Sequence, residues 1–211
     1  MIAPRIVQIT DPSALPDAAL FARLRAVGAL APHERARFAV QLRSPQLSSR
    51  ALAALGLRLR AATRDLGVAL LINDRLDLAL ALGADGVHLG RRSVTIADAR
   101  ALLGPAAWIS VACHDVDDVV RAAFDGADAV TLSPIFASPG KGTPLGAAAL
   151  RAARAALGAR ATAVYALGGV DRATAPLCFE AGAEGVAVIR ADLTFALEDG
   201  AISTLTRGLA T

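Results

Sequence analysis

Eight short runs of aliphatic and β-branched residues recur along this chain, at 5–10, 38–43, 68–73, 86–90, 108–113, 129–135, 161–167 and 185–189. Nearly continuous apolar runs of this length suit strands covered on both faces, as in a parallel sheet flanked by helices. Alanine-rich stretches of helical character follow them, clearest at 51–65, 93–103, 115–124 and 146–157. Eight strand-then-helix units predict an α/β fold of one kind, a single closed (β/α)8 TIM barrel spanning residues 1–211 as one domain. At 211 residues such a barrel lies near the compact end of its size range.

An internal repeat points the same way. Gly83-Ala-Asp-Gly-Val-His-Leu89, Gly126-Ala-Asp-Ala-Val-Thr-Leu132 and Gly182-Ala-Glu-Gly-Val-Ala-Val188 are three copies of one turn-into-strand phrase. In each, the glycine is expected to end a helix in the left-handed conformation, the alanine to pack, and the valine to begin a strand directed inward. Open doubly wound sheets use similar phrases, so closure rests on the count of eight.

Composition narrows the partners. A net charge of +3 comes from arginines dispersed among acids, without the continuous basic stripe and stacking aromatics of a nucleic-acid binder, so no nucleic-acid partner is expected. Cys113 and Cys178 are isolated, with no zinc spacing, and fit reduced thiols. The amino terminus has no signal-peptide pattern, and no apolar run reaches membrane-spanning length. The expectation is a cytoplasmic protein with no membrane partner; a homodimer is left open.

Functional groups of such barrels sit at the carboxyl ends of the strands and in the loops just after them. That rule selects Gln41 and Arg43; Asn73, Asp74 and Arg75; His88, Arg91 and Arg92; Cys113 and His114; Ser138 to Lys141; Gly168 and Gly169; and Ile189 with Arg190. Lys141 is the only lysine among 22 basic residues, and Gly140 and Gly142 flank it, so a mobile point charge suited to phosphate stands in the sixth loop. Gly168-Gly169 lets backbone approach an anion, and the loops after strands seven and eight of barrels commonly bind phosphate through amides. Asp74 could hold a metal, or either Asp74 or Asp77 could cap the helix that follows. His114, at a strand-to-helix turn beside Asp115, a candidate N-cap, could move protons near neutral pH, whereas His88 reads as a hydrogen-bonded interior residue and His33 lies away from the rim.

Together these segments resemble the thiamine phosphate synthase and TenI superfamily of thiamin biosynthesis, over residues 6–193. The most specific pieces are Val40-Gln-Leu-Arg43, Leu71-Ile-Asn-Asp-Arg75, Gly83 to Gly90, Leu132-Ser-Pro-Ile-Phe136, and Leu167-Gly-Gly-Val170 followed by Ala181 to Val186. The resemblance implies a thiazole phosphate as small-molecule ligand. Gln41, Arg43, Asn73, Ser138 and Lys141 match substrate-binding positions, and Gly168, Gly169, Ile189 and Arg190 form the expected phosphate site. In the synthase branch, Asp74 would hold Mg²⁺ while a pyrimidine pyrophosphate is joined to the thiazole.

Four positions depart from the synthase pattern. Pro45 replaces a lysine, Ser93 the second metal aspartate, Ala112 a serine, and Gly140 a hydroxyl residue. Arg91 and Arg92 stand where the synthase has a polar-acidic pair and could restore lost positive charge. Because the departures fall on the pyrophosphate and metal positions, the resemblance is read first as the TenI branch, a thiazole tautomerase. There His114 matches the proton-transfer residue, and no cofactor is needed. The alternatives are the synthase with Mg²⁺ and a thiazole phosphate binder without turnover.

Overall fold

Eight parallel strands close on themselves in chain order: β1 (Ile6–Ile9), β2 (Phe38–Leu42), β3 (Ala69–Asn73), β4 (Gly86–Leu89), β5 (Trp108–Cys113), β6 (Ala129–Leu132), β7 (Ala163–Leu167) and β8 (Gly185–Val188), with β8 hydrogen-bonded back to β1. The structure, a computed structural model, describes residues 3–197. Helices α1 (Asp17–Gly28) and the short α2 (Pro32–Arg35) connect β1 to β2, and α3 (Ser49–Leu66), α4 (Leu76–Leu82), α5 (Ile96–Leu103), α6 (Val116–Phe124), α7 (Ala147–Leu157) and α8 (Ala175–Glu180) fill the later crossovers. A 3-10 turn, Thr194–Leu197, follows β8. No helix of the described residues is long and apolar enough to cross a membrane.

Local chemistry sets the element ends. Ser48 accepts the Ala51 amide at 3.3 Å, so α3 begins ahead of the expected residue 51. Thr95 accepts the Asp98 amide at 3.1 Å, so α5 begins at Ile96 and Ser93 stays in the loop. Asp115 caps α6 as expected, accepting the Asp118 amide at 2.6 Å. β6 stops at Leu132, short of residue 135, where Pro134 can give no N–H to the ladder.

Two apolar clusters divide along the strand alternation. The larger fills the layer between strands and helices, and the smaller, with Val7, Ile9, Ala39, Leu71, Ala129, Ala163, Tyr165 and Ala187, fills the barrel. Val87, Val130 and Val186 of the repeat belong to the outer layer, which corrects the expectation that they point inward. The inward residue is the one before each valine: Gly86, Ala129 or Gly185. A side chain at Gly86 would lie 2.8 Å from Trp108 Cβ and closer still to the Trp108 carbonyl oxygen. At Gly185 it would lie 2.8 Å from Tyr165 Cδ1, closer still to Tyr165 Cε1, and 2.8 Å from the Arg5 carbonyl oxygen. The Tyr165 ring therefore fits because Gly185 carries no Cβ, and β4 can lie against the Trp108 backbone because Gly86 carries none.

The glycines that open the repeat all have positive φ, as expected: 56° at Gly83, 92° at Gly126 and 91° at Gly182. Its acid, which the pattern leaves without a role, has the same role three times. Asp85 accepts the Leu70 amide of β3 at 2.8 Å and Arg60 of α3 at 2.7 Å. Asp128 accepts the Ile109 amide of β5 at 2.7 Å and Arg100 of α5 at 2.8 Å. Glu184 accepts the Val164 amide of β7 at 2.7 Å and pairs with Arg154 of α7 at 3.2 Å. Each acid ties the amide of the second residue of the neighbouring strand to the helix before it.

Gly86→Ala is expected to lower stability by about 3 kcal/mol or more, since the strand pair must separate to admit the methyl group. Gly142→Ala, at an open position with ordinary φ, should change it by less than about 0.5 kcal/mol. Urea unfolding of the two variants beside the parent protein tests this, and equal midpoints would contradict it.

Candidate active site

The barrel interior changes character from end to end. Trp108, Tyr165 and Leu71 close the amino-terminal side, and the Tyr165 hydroxyl donates to the Pro4 carbonyl while burial pushes its pKa well up. Towards the carboxyl ends the inward positions become Gln41, Asn73, His88, Ser110 and Thr131. Buried polar groups persist chiefly when hydrogen-bonded, and Gln41, Asn73, His88 and Ser110 are. Gln41 Nε2 donates to Asn73 Oδ1 at 2.9 Å, and Asn73 Nδ2 donates to Asp74 Oδ2 at 2.7 Å. Asp74 Oδ1 accepts the Gly90 amide at 3.1 Å and the Ser93 hydroxyl. One relay thus joins the ends of β2, β3 and β4.

Asp74 does not cap α4. It has φ 60°, an uncommon conformation for a residue with a side chain, and its carboxylate crosses to the loop after β4. Asp77 does not cap it either. Its carboxyl is drawn to about 2 chiefly by the hydrogen bond from Arg75, at 2.6 Å and 2.8 Å, and Arg75 also reaches Ser49 of α3 at 3.1 Å. Arg75 is therefore turned away from the rim.

Thr10 fixes the start of the second loop, donating to the Arg43 carbonyl and accepting the Arg43 amide, both at 2.8 Å. The Arg43 guanidinium has no partner among the described residues, and its charge is felt at His88 and Asp11. His88 is interior as expected, its Nδ1 2.9 Å from the Ser110 hydroxyl. Arg91 lies towards Asp118 of α6, whose carboxyl it helps to lower, and not towards Asp74; Arg92 is exposed. A cavity of about 580 Å³ opens there, against Gly90, Arg91, Ser93, Ala112, Cys113 and Asp118.

Cys113 is buried in the outer layer, with its thiol pushed up to about 12 by burial, so it leaves the candidate list. His114 stays. Its Nδ1 lies 3.0 Å from the Ser133 carbonyl, which can only accept, so Nδ1 carries the hydrogen and Nε2 is left as an acceptor. The His114 amide donates to Asp118 at 3.1 Å, which anchors the turn.

The sixth loop is pinned at both ends. The Ile135 and Phe136 amides donate to the Leu167 and Gly168 carbonyls, each at 2.9 Å, and the Leu145 and Gly146 amides return to Pro134 and Ile135 at 2.8 Å and 2.9 Å. Between these anchors residues 137–144 project, with Ser138 half-buried and Lys141 exposed. Gly168 and Gly169 are required by this loop itself: a Cβ would meet Pro134 Cβ at 2.8 Å from Gly168, and Phe136 Cβ at 2.7 Å from Gly169. The amides of Gly169, Val170, Ile189, Arg190 and Ala191 donate to no other described residue.

Sequence reasoning missed the residues behind the last of these loops. Gln8 Nε2 donates to the Val188 and Ile189 carbonyls at 3.2 Å and 2.8 Å. Arg23 of α1 donates to Gln8 Oε1 at 2.7 Å and to the Ala191 and Arg190 carbonyls at 2.8 Å and 2.5 Å. A signal existed: Arg23 adjoins Leu24 on the stripe of Leu20, Leu24 and Val27 that α1 buries, where an arginine needs polar partners.

Burial lowers the pKa of His88 from 6.5 to about 4, with the nearby Asp74 charge acting against the shift. Between those values the unfolded chain binds a proton that the folded one does not. The neutral ring's contribution is therefore complete above about 6.5 and is lost as pH falls towards about 4. His88→Gln should flatten this part of the stability profile, and in NMR titration the His88 ring should stay neutral at pH 5. Protonation of His88 near pH 6.5 would refute the assignment.

Comparison with known proteins agrees with this geometry. A family model described as thiamine monophosphate synthase matches residues 7–191, from β1 through β8. The thiamine-phosphate synthase of Gloeobacter violaceus is 42% identical over 154 residues, which is 72% of this chain and 44% of that protein. This chain thus spans less than half of that relative's length. The thiamine-phosphate synthase of Moorella thermoacetica is 41% identical over 156 residues, 72% of this chain and 73% of that one. Among solved structures, thiamine phosphate pyrophosphorylase from Pyrococcus furiosus superposes with a TM-score of 0.74 at 25% identity, covering 98% of this chain and 97% of that one. This chain belongs to the thiamine monophosphate synthase and TenI family.

Proposed function

We propose that this chain is a thiamine-phosphate synthase, joining hydroxymethylpyrimidine pyrophosphate to hydroxyethylthiazole phosphate with release of pyrophosphate. The names of the matched relatives support this reading, an alternative at the sequence level, ahead of the tautomerase that Pro45, Ser93, Ala112 and Gly140 suggested. The observation that carries it is the juxtaposition at the rim. A polar relay from Gln41 to Ser93 ends β2 to β4, unpaired amides follow β7 and β8 across the ring, and cationic Arg43 and Lys141 belong to loops of the same rim.

In the reaction the bond between the pyrimidine methylene carbon and the pyrophosphate oxygen breaks, and its electron pair leaves with pyrophosphate. The thiazole nitrogen then supplies the pair for the new C–N bond. Gln41 and Asn73 would orient the pyrimidine, and Arg43, Ser138 and Lys141 would meet the negative charge that grows on the leaving group. The amides after β7 and β8 would hold the thiazole phosphate, so that its nitrogen faces the methylene carbon.

The residues present fit Mg²⁺. Asp74 offers a carboxylate already fixed by the Asn73, Gly90 and Ser93 donors, and Ser93 adds a hydroxyl oxygen. Mg²⁺ commonly takes one or two carboxylates and completes its shell with phosphate oxygens and water. Bound there, it would neutralise charge on the pyrophosphate.

One observation favours a second reading, the metal-independent thiazole tautomerase: the ring of His114 is held so that Nε2 is an acceptor able to take a proton.

Incubating the protein with both substrates and Mg²⁺ should yield thiamine phosphate and pyrophosphate in equal amounts. Lys141→Ala is expected to lower kcat by roughly a hundred- to a thousandfold, the usual loss for a group that stabilises developing charge. His114→Asn should leave synthase turnover within about tenfold. No thiamine phosphate from the parent protein, together with tautomer conversion that disappears in His114→Asn, would establish the second reading instead.

A further inference from the structure

Arg23 makes its hydrogen bonds to neutral oxygen atoms, Gln8 Oε1 and the carbonyls of Arg190 and Ala191. Its side chain is only 13% exposed, and the nearest acid, Asp192, stands 3.6 Å from Nε, beyond hydrogen-bond range. A nearly buried cation costs desolvation energy that a direct carboxylate partner would offset. Here a long ion pair to the half-exposed Asp192 is joined by shorter hydrogen bonds to the back of one loop.

Gln8 and Arg23 between them hold four consecutive carbonyls, Val188 to Ala191, on the side of β1 and α1. In a trans peptide the N–H points opposite to the C=O. The amides of Ile189, Arg190, Ala191 and Asp192 therefore face away from α1. Because β8 lies between β1 and β7, away from β1 is towards the Gly168-Gly169 loop, where the Gly169 and Val170 amides are also unpaired. A cation bonded to a carbonyl also polarises that peptide and strengthens the donor on its far side.

We propose that Arg23, seated by Gln8, is the positioning residue of the phosphate site: it turns the amides after β8 towards the thiazole phosphate and sharpens them as donors without touching the ligand. This rests on the phosphate assignment made under the proposed function. It explains an arginine on the buried stripe of α1 whose one ion pair, to the half-exposed Asp192, leaves its hydrogen bonds to the loop carbonyls.

The test compares binding of hydroxyethylthiazole phosphate and its unphosphorylated alcohol by titration calorimetry, in the parent protein and in Arg23→Met, Arg23→Lys and Gln8→Leu, with folding checked by thermal unfolding. Arg23→Met should weaken the phosphate ester roughly ten- to a hundredfold and leave the alcohol within about twofold. Arg23→Lys, which keeps the charge but not the fork, should fall between. Unchanged phosphate affinity in folded Arg23→Met, or equal weakening of both ligands, overturns the proposal. If Arg23→Met does not fold, the ratio of the two affinities in Arg23→Lys decides in the same way. A parent protein with no preference for the phosphate ester refutes the phosphate assignment and this proposal together. A parent that prefers the ester but forms no thiamine phosphate refutes only the synthase.

Discussion

Strands of four to six residues make few hydrogen bonds each, so this ring of eight holds only if every strand has two neighbours and the interior is filled at one end. Filling falls to Trp108 and Tyr165, and it works because Gly86 and Gly185 beside them bring no side chain of their own. Fastening falls to Asp85, Asp128 and Glu184, which bind the amide of a strand's second residue and an arginine of the helix before that strand. All three lie at the amino-terminal end. With that end closed and tied, the carboxyl-terminal rim can carry buried polar groups and loose loops that would not hold a barrel together themselves.

The rim uses this freedom in two unlike halves. Around β2 to β4 the polar atoms are committed to one another, so Gln41, Asn73 and Asp74 are oriented before any substrate arrives. Preorganisation of this kind lowers the reorganisation needed when charge develops. Around β6 to β8 the side chains count for less than the backbone: paired carbonyls face inward to the scaffold and amides are left outward. The sixth loop belongs to both, pinned at its base to β7 while the segment with Ser138 and Lys141 projects between the anchors.

Much of this was legible in the sequence, for reasons that differ by element. The strands announce themselves because burial on both faces leaves runs such as Phe38 to Leu42 with scarcely a polar residue to interrupt them. The rim follows from the strand ends, which is how Gln41, Asn73 and His114 could be named before any coordinates. What stayed hidden was pairing across the chain. Nothing local tells that Asp85 reaches Leu70, that Asp74 reaches Ser93 rather than its own helix, or that Arg23 reaches a loop 168 residues away. The inward valines failed for a related reason: alternation gives two faces, and only the neighbouring strand's Trp108 or Tyr165 shows which of them must be small.

The departures from the synthase pattern favoured the tautomerase because they fall together on the pyrophosphate and metal positions. Taken as charge, Pro45 for a lysine removes one cation and Ser93 for an aspartate removes one anion, while Arg91 and Arg92 bring cations where the pattern has a polar-acidic pair. Electrostatic stabilisation of a leaving group depends on the summed field of the site more than on any single contact. Ser93 is also not idle, since its hydroxyl joins the Gly90 amide in holding the remaining carboxylate, Asp74. On the synthase reading, one carboxylate held by a hydroxyl and an amide, with added arginines nearby, would serve where the pattern has two carboxylates and a lysine. That is why sequence identity of about 40% to synthases carries more weight here than four substitutions counted one by one.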